Sequence, residues 1–443
     1  MAASLFESQL YGGAFNAGDA GRLFSDSAEI RAMLLVEGAL AKAQGALGVI
    51  PEISAAAIQR AVMEVAIDPG ALRAETAQNG VPVPALVSAF RAEMNAPEHA
   101  QYVHWGATSQ DIMDTALMLR LRQALGLIEE NLKNTLSHLA EQAETNAALP
   151  MAGRSFGLHA TPTSFGAVVA SWGAPLLDLL DELPELRRTS LLVSLSGAVG
   201  TASALGPKAD AQRAELAKGL ALSDPGRSWH TDRGPVLRIL GWMHRATLAL
   251  SKMGLDCHAM VQTGIATLRL AQTGSSSTMP HKQNPVAAAK LVALAQHSTG
   301  LNASLQSAAT HQYQRDAGAW FTEWLCLPQI VLAAASAAET AVGLSAALQP
   351  QDAQMRGELS QNLDLIHAEA LTFALAQSLT RTQAQDIVKA LCKEATETGV
   401  PLSQLAQKHA SEADLTAVFK ADAQMGQSRE TANNFAQTVR ALA

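Results

Sequence analysis

The chain has 443 residues, of which 48% are hydrophobic, 4% aromatic and 16% charged, and its 40 acidic and 32 basic side chains give a formal charge of −8. This length supplies two to four domains and a sizeable core, which excludes a disordered chain and a disulfide-stapled miniprotein, and the acidic balance offers no polybasic footprint for nucleic acid or an anionic membrane. A charged fraction below the usual quarter predicts that part of the surface is buried in partners.

The opening segment, MAASLFESQLYGG, has no basic region followed by an apolar run, so no secretory signal is expected. Cys257, Cys326 and Cys392 lie far apart and fit no metal-ligand spacing, as expected of reduced core residues in a cytoplasmic protein. Alanine makes up roughly a fifth of the chain and combines with Leu, Val and Ile at helical spacing, which predicts an all-α protein. Asp26 with Glu29 three residues later reads as a capping box opening a helix that carries Ile30, Met33, Leu34 and Leu40. Joints at Asp68-Pro69-Gly70 and Gly80–Pro84 then fill out an N-terminal helical domain, 1–110.

After Asp111, the residues Leu117, Leu121, Leu125, Ile128, Leu132, Leu136 and Leu139 form one apolar stripe on a helix of about 35 residues, roughly 50 Å long. Further long helices are expected over Val236–Leu270, Val286 to about His311 and Gln329–Leu348, each bounded by a proline (Pro235, Pro285, Pro328, Pro350). They make 111–350 a central long-helix bundle and oligomerisation domain, and 351–443 a small C-terminal helical domain. The apolar stretch from Ile330 to Leu348 is interrupted by Ser336, Glu339, Thr340 and Ser345 and reads as a buried helix, not a membrane span. Gly197–Gly206 has neither a GxGxxG order nor a P-loop ending, which sets a nucleotide site aside.

Four polar islands interrupt this helical background. Thr273–Pro285 (TGSSSTMPHKQNP) places three hydroxyls, Lys282 and Asn284 between two apolar helices, suited to a carboxylate at the start of the second helix, or else a solvated connector. Tyr102–Asp111 offers His104, Thr108 and Ser109, although capping alone would explain Ser109 and Asp111. Gly153–Pro162 sets Arg154 and His159 among small residues, and both are equally readable as structural. His311–Trp324 surrounds Arg315 with aromatics, where a pairing with Asp316 or Glu323 is the default.

Taken as an ordered set, these islands resemble one family. GSSSTMPHKQNP resembles the GSSxMPxKxNP signature of the fumarase/argininosuccinate lyase/adenylosuccinate lyase superfamily, HWGATSQD its HxGxTSxD region, and GRSFGLHATP its GRTHxxxAxP region. The likeness runs from VEGALAKAQGALGVIP at 36–51 to the C-terminal helices. Within the superfamily, TMPHKQNP and the stretch bearing Gly318, Trp320, Glu323 and Trp324 are most similar to the bacterial 3-carboxy-cis,cis-muconate cycloisomerases. Phe156 stands where many of the lyases carry a histidine acid, a chemical reason to favour a reaction with no amine or water leaving group.

The resemblance implies a fumarase/aspartase-like all-α fold, a homotetramer with active sites shared between chains, a small polycarboxylate substrate, and no cofactor or metal. It implies that a substrate carboxylate closes on a conjugated double bond to give a γ-lactone in aromatic (protocatechuate) degradation. Ser276 is then the acid/base with His159 as runner-up, and Lys282 and Asn284 stabilise the enolate. His104, Thr108, Ser109, Arg154, Ser277, Arg315 and Trp320 bind substrate, with Trp105 and Phe156 shaping the site. Ser275 occupies the place of the signature's glycine, which questions the loop geometry if that position needs a positive φ. The alternatives are a fumarate-releasing lyase of the same fold and a scaffold without activity.

Overall fold

The computed structural model describes residues 4–410 and 414–442. The architecture is helical, as expected, with two short two-stranded antiparallel sheets, of which the first is a hairpin. We number the helices used below α1 (Asp26–Ala46), α2 (Glu52–Glu64), α3 (Val83–Glu93), α4 (Ser109–Thr145), α5 (Phe165–Ser190), α6 (Ala209–Leu220), α7 (Gly234–Met260), α8 (Val286–Ser307), α9 (Ala317–Ala346) and α10 (Arg381–Thr398). Strands β1 (Pro150–Ser155) and β2 (Leu158–Ser164) pair antiparallel, as do β3 (Leu268–Leu270) and β4 (Leu348–Pro350).

The chain divides into two compact units, one of residues 1–131, 179–248 and 293–339 and the other of 132–178, 249–292 and 340–443. Each of the five long helices, α4, α5, α7, α8 and α9, contributes one segment to each unit. In the first unit, α1, α2, α3 and the start of α4 bury Met33, Leu34, Leu40, Ile58, Leu86, Phe90 and Ile112 in a common core with Val193, Leu195 and Leu216. In the second, the C-terminal helices bury Leu371, Ala384, Val388, Leu391, Leu402 and Leu405, while Trp172 donates its indole N–H to Asp256 at 2.7 Å.

The stripe on α4 behaves as its spacing requires: Leu121, Leu125, Leu132, Leu136 and Leu139 are fully buried along a 37-residue helix, about 55 Å long. Three boundaries differ from expectation. The cap of α1 is Ser25, whose Oγ accepts the Ala28 N–H at 3.3 Å, so Asp26 is the first helical residue and supports the positive helix end without capping it. Helix α7 stops at Met260 because Gly264 (φ +89°) and Ala266 (φ +48°) turn the chain. Leu268, Arg269 and Leu270 then alternate buried, exposed, buried as a strand.

Pro328 does not begin a helix but lies inside α9. An internal proline costs about 3 kcal/mol, and the helix continues because Leu327, Ile330 and Val331 are buried on either side of it. By length and composition α9 is apolar enough to cross a membrane, yet 67% of its most apolar stretch is buried within the protein. Cys257 and Cys326 are buried free thiols and Cys392 is half-buried.

Candidate active site

In the first unit, the segment before α4 is organised by a buried carboxylate. Asp111 is fully buried at the third position of α4 and accepts the N–H groups of Thr108 (3.1 Å), Ser196 (2.9 Å) and Gly197 (2.9 Å), the Ser194 hydroxyl (3.1 Å) and His230 Nε2–H (2.8 Å). It is therefore not the N-cap; it reaches back to Thr108, the residue in the capping position. This ties Thr108 and Ser109 to a rigid scaffold.

Arg315 pairs with neither Asp316 nor Glu323. Its Nη1–H donates to Thr108 Oγ1 at 2.9 Å and its Nε–H to Gln110 Oε1 at 3.2 Å, while Asp316 accepts the N–H groups of Gln312, Gly318 and Ala319. Glu323 is taken by Arg233, which forms bidentate pairs with both Glu323 (2.8 Å, 2.8 Å) and Asp114 (2.8 Å, 2.9 Å) and lies over the Trp229 ring. Burial works against this guanidinium's charge, but the two carboxylates outweigh it and hold its pKa above the usual arginine value. The tryptophan-rich motif thus supplies a counter-ion to the core, and Arg315 keeps a positive charge with no carboxylate partner among the described residues.

His104 sits on left-handed backbone (φ +63°), held by Glu37, which is 2% exposed. Glu37 accepts the His104 backbone N–H at 3.0 Å and Nδ1–H at 2.7 Å. Burial pulls the imidazole pKa down, but the hydrogen bond and charge of Glu37, aided by Asp111 and opposed by Arg91, leave it raised. His104 and Ser109 line a cavity of about 400 Å³ with Arg91, Ser88 and the apolar Val83, Pro84 and Val87 of α3. Arg91 is fixed by donating to the Val103 carbonyl at 2.7 Å.

Trp320 is 5% exposed, stacked edge-on against Trp324 with ring centroids 4.7 Å apart, and walls a different cavity of about 750 Å³. That places it in the core of the unit, and it does not line the cavity of His104. Trp105 is partly exposed and leans on Tyr102.

In the second unit, Arg154 and His159 face each other across the β1–β2 hairpin, whose turn is Phe156 (φ +53°) and Gly157 (φ +79°). Both converge on the buried Glu358: Arg154 Nη2 at 2.9 Å and His159 Nε2 at 3.8 Å. Arg154 is therefore an ion-paired cation. Burial and the Arg154 charge lower the His159 pKa, with Glu358 opposing. Phe156 projects fully into solvent from the turn.

The serine loop is closed at its base by two backbone hydrogen bonds between Gly274 and Asn284, at 2.9 and 2.8 Å. A side chain at Gly274 would approach Val286 Cγ2 to 2.8 Å, so glycine is required there by close packing. Ser275 does not adopt a positive φ, so a serine fits that position without strain. Within the loop Ser276 Oγ accepts the Met279 N–H at 3.2 Å, and the Lys282 N–H donates to the Met279 carbonyl at 3.0 Å. Ser277 and Lys282 are exposed and Asn284 is half-buried just before α8. Three groupings result: His104, Thr108, Ser109 and Arg315 in the first unit, Arg154 with His159 in the second, and Ser276, Ser277, Lys282 and Asn284 on one loop of the second.

Sequence reasoning did not identify Glu37, Arg91, Asp114 or Arg233. Glu37 left a signal, since it falls on the apolar stripe of Ile30, Met33, Leu34 and Leu40, where an unpaired carboxylate would be costly. Arg91 and Arg233 left none.

A family model described as lyase matches residues 16–300, and the chain belongs to this family. The three motifs at 102–111, 153–162 and 273–285 fall within the matched residues. Among curated relatives, 3-carboxy-cis,cis-muconate cycloisomerase of Pseudomonas aeruginosa is 37% identical over 88% of this chain and 86% of its own length. Nitrosuccinate lyase of Streptomyces davaonensis is 34% identical over 86% of this chain and 83% of its own. Among solved structures, the 3-carboxy-cis,cis-muconate lactonizing enzyme of Pseudomonas putida superposes with a TM-score of 0.91 at 32% identity, covering 98% of this chain and 99% of that one.

Proposed function

We propose that this enzyme is a 3-carboxy-cis,cis-muconate cycloisomerase, closing 4-carboxymuconolactone by intramolecular addition of a carboxylate. The observation that carries the reading is that four curated cycloisomerases, 35–37% identical, align over 84–88% of the chain.

In the reaction, a carboxylate oxygen bonds to one end of a conjugated double bond, and the displaced π pair moves onto the carbon next to the activating carboxylate. The resulting enolate is stabilised by Lys282 and Asn284, and a proton from Ser276 quenches it. The Met279 N–H already aimed at Ser276 Oγ stabilises the alkoxide that remains, with Lys282 adding its charge. Arg315, fixed by Thr108 and Gln110, binds a second carboxylate, and His104 with Ser109 a third. Glu358 holds both Arg154 and His159 in place. Because a trianion becomes a dianionic lactone, each turnover takes up one proton from water. We further propose three sequential domains, 1–110, 111–350 and 351–443, and a cytoplasmic homotetramer whose sites are completed by neighbouring chains.

The test is loss of the substrate's conjugated-diene absorbance with uptake of one proton per molecule and no fumarate. The similarity to nitrosuccinate lyase favours a second reading, elimination of fumarate from a succinyl compound whose leaving group needs no protonation. Fumarate formed from such a compound, without turnover of carboxymuconate, would replace the first reading with the second.

A further inference from the structure

Apart from the candidate site, the first unit contains a groove of about 1010 Å³ between α1, α2, α4 and α6. In a chain with more acidic than basic residues, its walls are strongly basic. Arg31 and Lys42 come from α1, Arg60 from α2, Arg120 and Arg122 from α4, and Lys218 from α6, whereas Glu215 is the only carboxylate lining it among the described residues.

Lys218 pairs with Glu215 at 3.9 Å, whereas four of the other cations are held in ways that leave their charge available. Arg31 donates to the Val62 carbonyl, and Arg122 to the carbonyls of Leu220 and Ala221, so neither meets a carboxylate. Lys42 and Arg60 are exposed and form no ion pair among the described residues. Arg120 is different: its side chain is 9% exposed, its Nε–H is buried without a partner, and its contact with Glu29 is a long 3.5 Å. Burial lowers its pKa, with Glu29 opposing. Its guanidinium also lies over the Phe24 ring and borders the cavity walled by Trp320, so the groove's capacity for an anion rests on the other arginines and Lys42. Leu35, Leu119, Val62 and Met63 supply apolar surface between the charges.

We propose that this groove is a second binding site, for a small organic polyanion with an apolar body, its phosphate or carboxylate groups held by the arginines of α1, α2 and α4. A compact ligand is favoured over an extended acidic segment because the cations converge from four helices around a volume at the upper end of the small-molecule range. Arginine forks match both phosphate and carboxylate oxygens. This site is independent of the catalytic reading.

The experiment is calorimetric titration of the full-length enzyme with ATP, inorganic triphosphate and citrate at 50 mM salt, for the wild type and the double variant Lys42→Gln, Arg60→Gln. Both residues are exposed and outside the catalytic machinery, so turnover of the enzyme's substrate is expected to be unchanged. The site is supported if at least one anion binds the wild type and binds the variant tenfold or more weakly. Tighter binding of ATP than of triphosphate assigns the apolar body a role, and a preference for citrate assigns carboxylate over phosphate. Binding that is absent in the wild type, or equal in the two proteins, overturns the proposal, since an anion held only at the catalytic site would not sense Lys42 and Arg60.

Discussion

Replacing Glu37 with glutamine tests how the protein favours the charged form of the His104 imidazole. The substitution preserves an oxygen acceptor for Nδ1–H, at 2.7 Å in the native protein, but removes the negative charge beneath it and, at every pH, the acceptor of the His104 backbone N–H. A hydrogen bond to a charged group contributes about 1.5–3 kcal/mol and one between neutral groups about 0.5–1.5 kcal/mol. The variant therefore loses about 1–1.5 kcal/mol of preference for the imidazolium, and kcat/KM is expected to fall about five- to tenfold on the alkaline side of the His104 titration. Glu37 and, less strongly, Asp111 raise the pKa of this histidine, while Arg91 opposes them. Because its folded pKa lies above the unfolded one, the contribution to stability is complete below the unfolded value and is lost as pH rises through the folded value. In Glu37→Gln the alkaline limb of the kcat/KM profile moves to lower pH, and the melting temperature loses more at pH 5.5 than at pH 8.5. A limb that stays in place, or a stability loss equal at both pH values, would refute a charge-setting role and leave Glu37 a packing residue.

The other predictions address the remaining parts of the site. Ser276→Ala lowers kcat by about 10²–10⁴-fold, the usual worth of a positioned proton donor, with at most a small fall in melting temperature, since the side chain makes one hydrogen bond, from the Met279 N–H; near-native turnover would remove Ser276 from the chemistry. Arg315→Gln raises KM about 10- to 100-fold through loss of a charge-assisted contact, read by steady-state kinetics, and leaves kcat less affected. Asp114→Asn leaves Arg233 with one carboxylate in a fully buried setting and destabilises the protein by about 3–5 kcal/mol, measured by urea unfolding; a loss under 1 kcal/mol would show that Glu323 alone balances the guanidinium.

The helical class and the length of α4 are legible because apolar residues at three- and four-residue steps leave no other periodicity. The candidate site's motifs are legible because their polar residues interrupt an otherwise apolar helical sequence. Pairings are harder to read. Arg315 and Glu323 lie eight residues apart and invite pairing, but Glu323 faces inward from α9 to Arg233 while Arg315 precedes that helix and turns to Thr108. The partner of Arg154 likewise cannot be read from neighbouring residues, because a hairpin, unread among small residues, brings it to Glu358, some two hundred positions later. Pro328 shows the opposite failure, a strong local signal overridden by burial on both sides. Ser275 raises a concern that backbone geometry dismisses, since the close approach falls one residue earlier, at Gly274.

The interleaving of chain segments between the two units bears on synthesis. The first unit begins with residues 1–131 but receives its last segment, 293–339, roughly two hundred residues later. At a ribosomal pace of about 5–20 residues per second, its opening helices wait about 10–40 s for the strands of chain that complete their packing. During that interval apolar stripes such as that of α4 stand uncovered in the nascent polypeptide. Slow translation through 132–292 would lengthen this exposure, so recombinant yield should respond to chaperone supply and to codon choice in that stretch.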